Sequence, residues 1–223
     1  MANYTDITVL LDRSGSMESI KAAMESGFDE FLTQHRTIPT TRLSLVQFDS
    51  QQPCDVVYEE RPITDAPRLE LLPRSMTPLR DAICLSVDMV GRRLHAKNEA
   101  DRPNKVLFLI ITDGLENASS RYTVEDVKQR IKRQTNAYQW EFVYLGANQN
   151  AIVEAGKLGM DLKKALTYDV NRIDQTWNLL ASNTAKYVGT AAEMPRSRMS
   201  ATLNWSNAQR TDVTDDKKTT SKS

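Results

Sequence analysis

The sequence predicts an α/β domain: a doubly wound, mostly parallel central sheet flanked by helices. Short apolar runs rich in β-branched residues alternate with segments of helical period along most of the chain. Two of these runs are apolar throughout, as strands buried on both faces are. Both end abruptly at an aspartate, Asp12 and Asp113. A length of 223 residues suits one such domain with an appendage. A core of that size needs neither disulfides nor structural zinc.

Ile7 to Leu11 reads as the first buried strand, and the loop Asp12-Arg13-Ser14-Gly15-Ser16 follows it. Ile20, Met24, Phe28, Phe31 and Leu32 then recur at spacings of three and four, one face of a helix. Leu43 to Phe48 reads as the second strand and Val56 to Tyr58 as a short third at an edge. Pro62 to Ser75 carries three prolines and no period, so it is expected to cross the surface as a connection. A helix is predicted from Thr77-Pro78, with Thr77 as N-cap, Pro78 in the first turn and Ile83, Val87, Val90 and Leu94 facing inward.

Val106 to Ile111 is the most hydrophobic stretch and must be a central strand. Thr123 followed by Glu125 and Asp126 opens the next helix, acids in the first turn suiting the helix dipole. Trp140 to Leu145 is a further strand, with Gly146-Ala147-Asn148 after it. A helix near Ala151 to Lys157, a strand over Ala165 to Tyr168 and a last helix complete the pattern. That helix places Ile173, Trp177, Leu180, Thr184 and Tyr187 on one stripe. The domain is therefore expected to span residues 1–195. Residues 196–223, rich in Ser, Thr, Asp and Lys, are expected to form a polar, disordered tail. Met199, Leu203 and Trp205 are its exceptions and are candidates to dock. Trp140 and Trp177 are assigned to the core.

The 29 basic and 29 acidic side chains balance, so no global field draws the chain to nucleic acid or an anionic membrane. Cys54 and Cys84 are the only cysteines and lack a Cys-x-x-Cys spacing, which fits a reducing compartment. No secretory signal and no apolar run of about 18 residues is visible. A cytoplasmic location is the expectation.

The Asp-x-Ser-x-Ser run gathers one carboxylate and two hydroxyls in a tight turn after a buried strand. Hard cations such as Mg²⁺ take oxygen ligands in octahedral geometry and keep some waters, a need these groups meet. No cluster of His and Cys is present to favour zinc or softer metals.

Asp12-Arg13-Ser14-Gly15-Ser16-Met17, then Thr77-Pro78-Leu79-Arg80-Asp81-Ala82-Ile83, then Ile111-Thr112-Asp113-Gly114 resembles the von Willebrand factor A family. The likeness runs from about Asp6 to about Val188 and is nearest to small stand-alone bacterial and phage members. In those members Phe142 to Asn148 also has its counterpart. The resemblance implies a Rossmann-like fold and a metal-ion-dependent adhesion site of Asp12, Ser14, Ser16, Thr77 and Asp113. It implies Mg²⁺ as the ion, with Mn²⁺ or Ca²⁺ as alternatives, and an open coordination position filled by an Asp or Glu of a protein partner. Met17, Met76, Leu115 and Glu116 are expected to rim that opening. One departure stands out: the family usually has glycine just before the second-loop threonine, where this chain has Arg74-Ser75-Met76.

A binding module is thus expected rather than an enzyme. A phosphatase of the haloacid dehalogenase type needs a second Asp where Ser14 stands. A serine hydrolase needs a base, and His35 and His95 both fall near predicted helix C-termini, where cationic His is favourable for structural reasons. No Gly-rich nucleotide loop is visible. Other readings share the metal site: a regulatory or assembly subunit beside an ATPase, or a phage virion or host-interaction protein. For a phage protein the place would be the host cytoplasm or the virion.

Overall fold

The computed structural model describes residues 2–38, 40–147, 150–191 and 193–214. Its centre is a six-stranded sheet of β1 (Ala2–Asp12), β2 (Thr41–Phe48), β3 (Asp55–Pro62), β4 (Pro103–Thr112), β5 (Glu141–Ala147) and β6 (Ala165–Tyr168). The spatial order is β3-β2-β1-β4-β5-β6, with β3 antiparallel at one edge and every other pairing parallel. The expected doubly wound α/β fold is therefore present.

The helices are α1 (Lys21–His35), α2 (Leu79–Ala96), α3 (Val124–Tyr138), α4 (Ala151–Lys157), α5 (Ile173–Gly189), α6 (Arg196–Ala201) and α7 (Asn207–Asp212). Side chains alternate across a strand, and successive residues of β1 and β4 accordingly feed two separate cores. Ile7, Val9, Leu11, Leu107, Leu109 and Ile111 pack with α1 and α5. Leu10, Phe108 and Ile110 pack with α2, α3 and α4. Burial on both faces explains why these strands read as unbroken apolar runs. Among the described residues no helix is long and apolar enough to cross a membrane.

All residues expected on the inner stripes of α1, α2 and α5 are buried. Three expectations fail. The first concerns the start of α2: its cap is Pro78, with no side-chain cap bond. Glu116 from another loop accepts from Arg80 N, and Ser119 Oγ accepts from Asp81 N, so a distant segment caps the helix and Thr77 does not. The second concerns His35, which is buried between Phe31 O and Thr184 Oγ1. Burial pushes its pKa down to about 4, so it is a neutral packing group rather than a cation at a helix end.

The third concerns the segment from Arg196. It forms α6 and α7 rather than disordered chain, and Leu203, Trp205 and Val213 are buried in the α1/α5 core. Trp205 N donates to Lys163 O, and Asp169 N donates to Val213 O. Arg210 donates to the carbonyls of Ala165, Leu162 and Lys163. Packing thus continues well past the expected boundary at 195. Residues 215–223 of the expected tail, and Asn148, lie outside the described residues.

Candidate metal centre

The chain runs from β1 to β2 on one side and from β4 to β5 on the other, so the winding reverses between β1 and β4. Ligands of open α/β sheets bind at the carboxyl ends of the strands flanking such a reversal. Leu11 pairs with Ile111, which brings Asp12 and Thr112 to the same level at that edge. Thr112 Oγ1 donates to Asp12 Oδ2 at 2.6 Å, and Ser14 N donates to Asp12 Oδ1 at 2.7 Å.

Past Asp12 the chain turns into a 3-10 helix, Gly15–Ile20. The turn sets the Ser14 and Ser16 hydroxyls 3.1 Å apart, and Ser16 Oγ donates to Asp113 Oδ1 at 2.7 Å. Thr77 closes the ring from a third segment. A Cβ added at Gly114 would lie 3.2 Å from Thr77 Oγ1 and 3.7 Å from Ser16 Oγ, so glycine there keeps a small space between the hydroxyls. The five residues that the family resemblance implied as ligands therefore meet in one place.

A framework of other residues holds the three loops. Gly15 N donates to Ser75 O, Arg74 N to Arg13 O, and Ser50 N to Met76 O. The Thr77 backbone is clamped on both sides by Asn117: its N–H donates to Asn117 Oδ1, and its carbonyl accepts from Asn117 N. Arg13 turns away from the opening and ion-pairs with Asp49 and Asp55. Asp49 also accepts from Arg74, Gln51 N and Gln52 N. Burial works against its ionisation, but the hydrogen bonds from Arg74, Gln51 and Arg13 overcome it and hold its pKa below the usual value. Asp81 accepts from the backbone N–H groups of Ser120, Arg121 and Tyr122 and so fixes the loop after Asp113.

None of these organising residues was legible in the sequence except through the Asp81 of the Thr-Pro-Leu-Arg-Asp run. The missing glycine before Thr77 is answered in the backbone: Ser75 has φ 61°, the left-handed conformation glycine would supply most cheaply. Its hydroxyl accepts from Gln51 Nε2 and its carbonyl from Gly15 N, which together retain the conformation.

The expected rim divides. Met76 is 55% exposed and Leu115 57%, both beside the opening in sequence. Met17 is not on the rim: it is fully buried in the α1/α5 core, because the 3-10 turn rotates it inward. Glu116 is committed elsewhere, accepting from Ala118 N, Ser119 N, Ser119 Oγ and Arg80 N.

The donor set fits a hard cation. Asp12 is wholly buried, and no described cationic side chain pairs with it. Burial raises its pKa to about 6 against the hydrogen bonds of Thr112 and Ser14, and nearby Asp113 adds to the rise. Asp113 is raised too, again through burial. A divalent ion would relieve both carboxylates. Among the described residues no three His, Cys, Asp or Glu side chains form a metal-holding group, so hydroxyls would have to complete the ligand set.

No protein-family model matches this chain, and no curated protein matches it by sequence. Solved structures do share its fold. Proximal thread matrix protein 1 from the mussel byssus matches at TM-score 0.60 with 15% identity, covering 81% of this chain and 48% of that one. Another structure of the mussel protein has a zinc-occupied MIDAS motif, at TM-score 0.59 with 14% identity and the same coverage. The vWF domain of the type V pili tip protein Mfa5 from Porphyromonas gingivalis matches at TM-score 0.53 with 11% identity, covering 86% of this chain and 98% of that one. The chain spans about half the length of the mussel protein chains it matches.

Proposed function

Given that the chain has the von Willebrand factor A fold, we propose that it is a binding module holding one Mg²⁺ ion through Asp12, Ser14, Ser16, Thr77 and Asp113. The ion would present an open position to a carboxylate of a protein partner. The observation that carries this reading is the convergence of two carboxylates and three hydroxyls from three loops at the strand-reversal edge. When bound, the ion supplies a concentrated positive charge that attracts a hard anionic oxygen.

The chain's own residues orient and exclude. Thr112 and Ser14 fix the Asp12 carboxylate, and Asn117 fixes Thr77. Exposed Met76 and Leu115 offer apolar contact beside the opening. Two ligands are anionic and three neutral, so a divalent ion keeps an attraction for a further carboxylate. A recognition role is favoured over catalysis because His35, the buried histidine, is spent on packing against Phe31 and Thr184.

Affinity capture of the partner tests the reading. Binding should disappear in EDTA, return with Mg²⁺ and be absent in Thr77→Ala at unchanged circular dichroism. Changing one acidic residue of the partner to its amide should weaken binding as much as chelation does. Full-strength capture in EDTA would place the interaction on another surface.

A further inference from the structure

A groove lies at the opposite end of the sheet. β4 runs from Pro103 beside it to Thr112 beside the metal centre, about 30 Å at roughly 3.3 Å per residue. There the C-terminal halves of α2 and α3, with the start of β4, line this groove of about 690 Å³. That volume lies within the size range of small-molecule sites. Gly91 faces Gln134 across it, with Gln134 Nε2 3.4 Å from where a Cβ at position 91 would stand.

The charge in this groove is one-sided. Arg92 comes from α2, Arg102 from the turn before β4, and Arg133 from α3. Neighbouring arginines on the same helices are neutralised inward: Arg93 pairs with Asp6 and Arg130 with Asp88. Arg92 and Arg133 are exposed and ion-pair with no described carboxylate. Asp88 is the acid lining the groove, and the Arg130 guanidinium holds both its oxygens.

Two helices end here, and their carbonyls would repel an anion were they bare. At the end of α2, Arg102 donates to Lys97 O and His95 O and Lys97 N to Leu94 O, and in the last turns of α3 Trp140 N donates to Gln134 O. Beneath the cations the floor is apolar, with Leu94, Val106 and Trp140 buried in it. Tyr138, 52% exposed, stands at its edge as a ring open to stacking.

We propose that this groove binds a phosphate-bearing aromatic ligand of mononucleotide size. Planar guanidinium forks match phosphate oxygens in pairs. The ligand's ring would stack against exposed Tyr138 at the groove's edge. The recognition uses no Gly-rich loop and is independent of the metal centre.

Calorimetric titration with adenosine monophosphate, adenosine and inorganic phosphate tests this, in EDTA so that the metal centre takes no part. Adenosine monophosphate should bind at least about tenfold more tightly than either fragment. Arg92→Ala/Arg133→Ala, which removes two exposed side chains and should melt like the parent, should weaken it by about tenfold or more. Tyr138→Ala should weaken adenosine monophosphate and leave inorganic phosphate unchanged, and Asp12→Asn should change nothing. No heat of binding at millimolar adenosine monophosphate would overturn the proposal. So would undiminished binding by the double variant, or equal affinity for inorganic phosphate.

Discussion

Asp12 sits at the closed end of β1 with both oxygens hydrogen-bonded and no described cation beside it. Burial raises its pKa to about 6, so the metal-free folded state holds a proton there that the unfolded chain, with an ordinary value near 3.8, has released. Between about pH 4 and pH 6 the folded state therefore binds more protons, and this group's contribution to stability falls as pH rises through that window. Two pKa units correspond to about 3 kcal/mol as an upper figure. Asp12→Asn should remove this slope, so that in EDTA the variant gains on the parent from about pH 4 to pH 6 and is the more stable at pH 7. Denaturant melts across that range measure it, and parallel pH profiles of the two proteins would contradict it. In the parent, metal affinity should fall below about pH 6, because binding must expel the proton. Asp12 was legible in the sequence as a strand-ending acid. Met17 was not, because its inward turn depends on a 3-10 helix that no period announces.

The packing of α1 on α5 shows what an element-scale pattern can and cannot reveal. Their apolar stripes are plain in the sequence, and Trp177 was readable as a core residue. Its seat was not. Trp177 lies against Gly27, where an added Cβ would stand 2.0 Å from Trp177 Cδ1, and it meets Phe28 and Phe31 edge-on. Gly27 is thus a socket rather than a weak point in the helix. Gly27→Ala gains helix propensity worth about 1 kcal/mol, but the clash with a fixed indole costs about 1–3 kcal/mol or more. Net destabilisation is the expected outcome in chemical denaturation, and a stabilised Gly27→Ala would mean that the indole moves aside freely. The start of α2 makes the same point. Thr77-Pro78 has the composition of a cap, yet the capping is done by Glu116 and Ser119, because Thr77 faces the other loops. Local preference yields where a side chain is wanted in tertiary structure.

For the molecule as a whole, the doubly wound parallel sheet and the edge at which Asp12 and Asp113 lie follow from features visible along the chain: apolar runs, the aspartates that end two of them, and the helices between. The C-terminal segment does not. Its anchors, Leu203, Trp205 and Val213, are too irregularly spaced for any period, and only the surface they cover gives them meaning. Trp205→Ala should cost about 3–5 kcal/mol, the usual range for a buried aromatic, and removing the chain after Arg210 should lower the melting temperature by exposing the site of Val213. An unchanged midpoint in both would show that the segment is not part of the folding unit. Mg²⁺ binding by titration calorimetry on the parent and on Asp12→Ala and Asp113→Ala tests the metal centre directly. The parent should bind one ion per chain, with a rise in thermal midpoint that follows RT ln(1 + [L]/Kd), and the two variants should show neither. Equal binding by Asp12→Ala, or no binding by the parent, would contradict it.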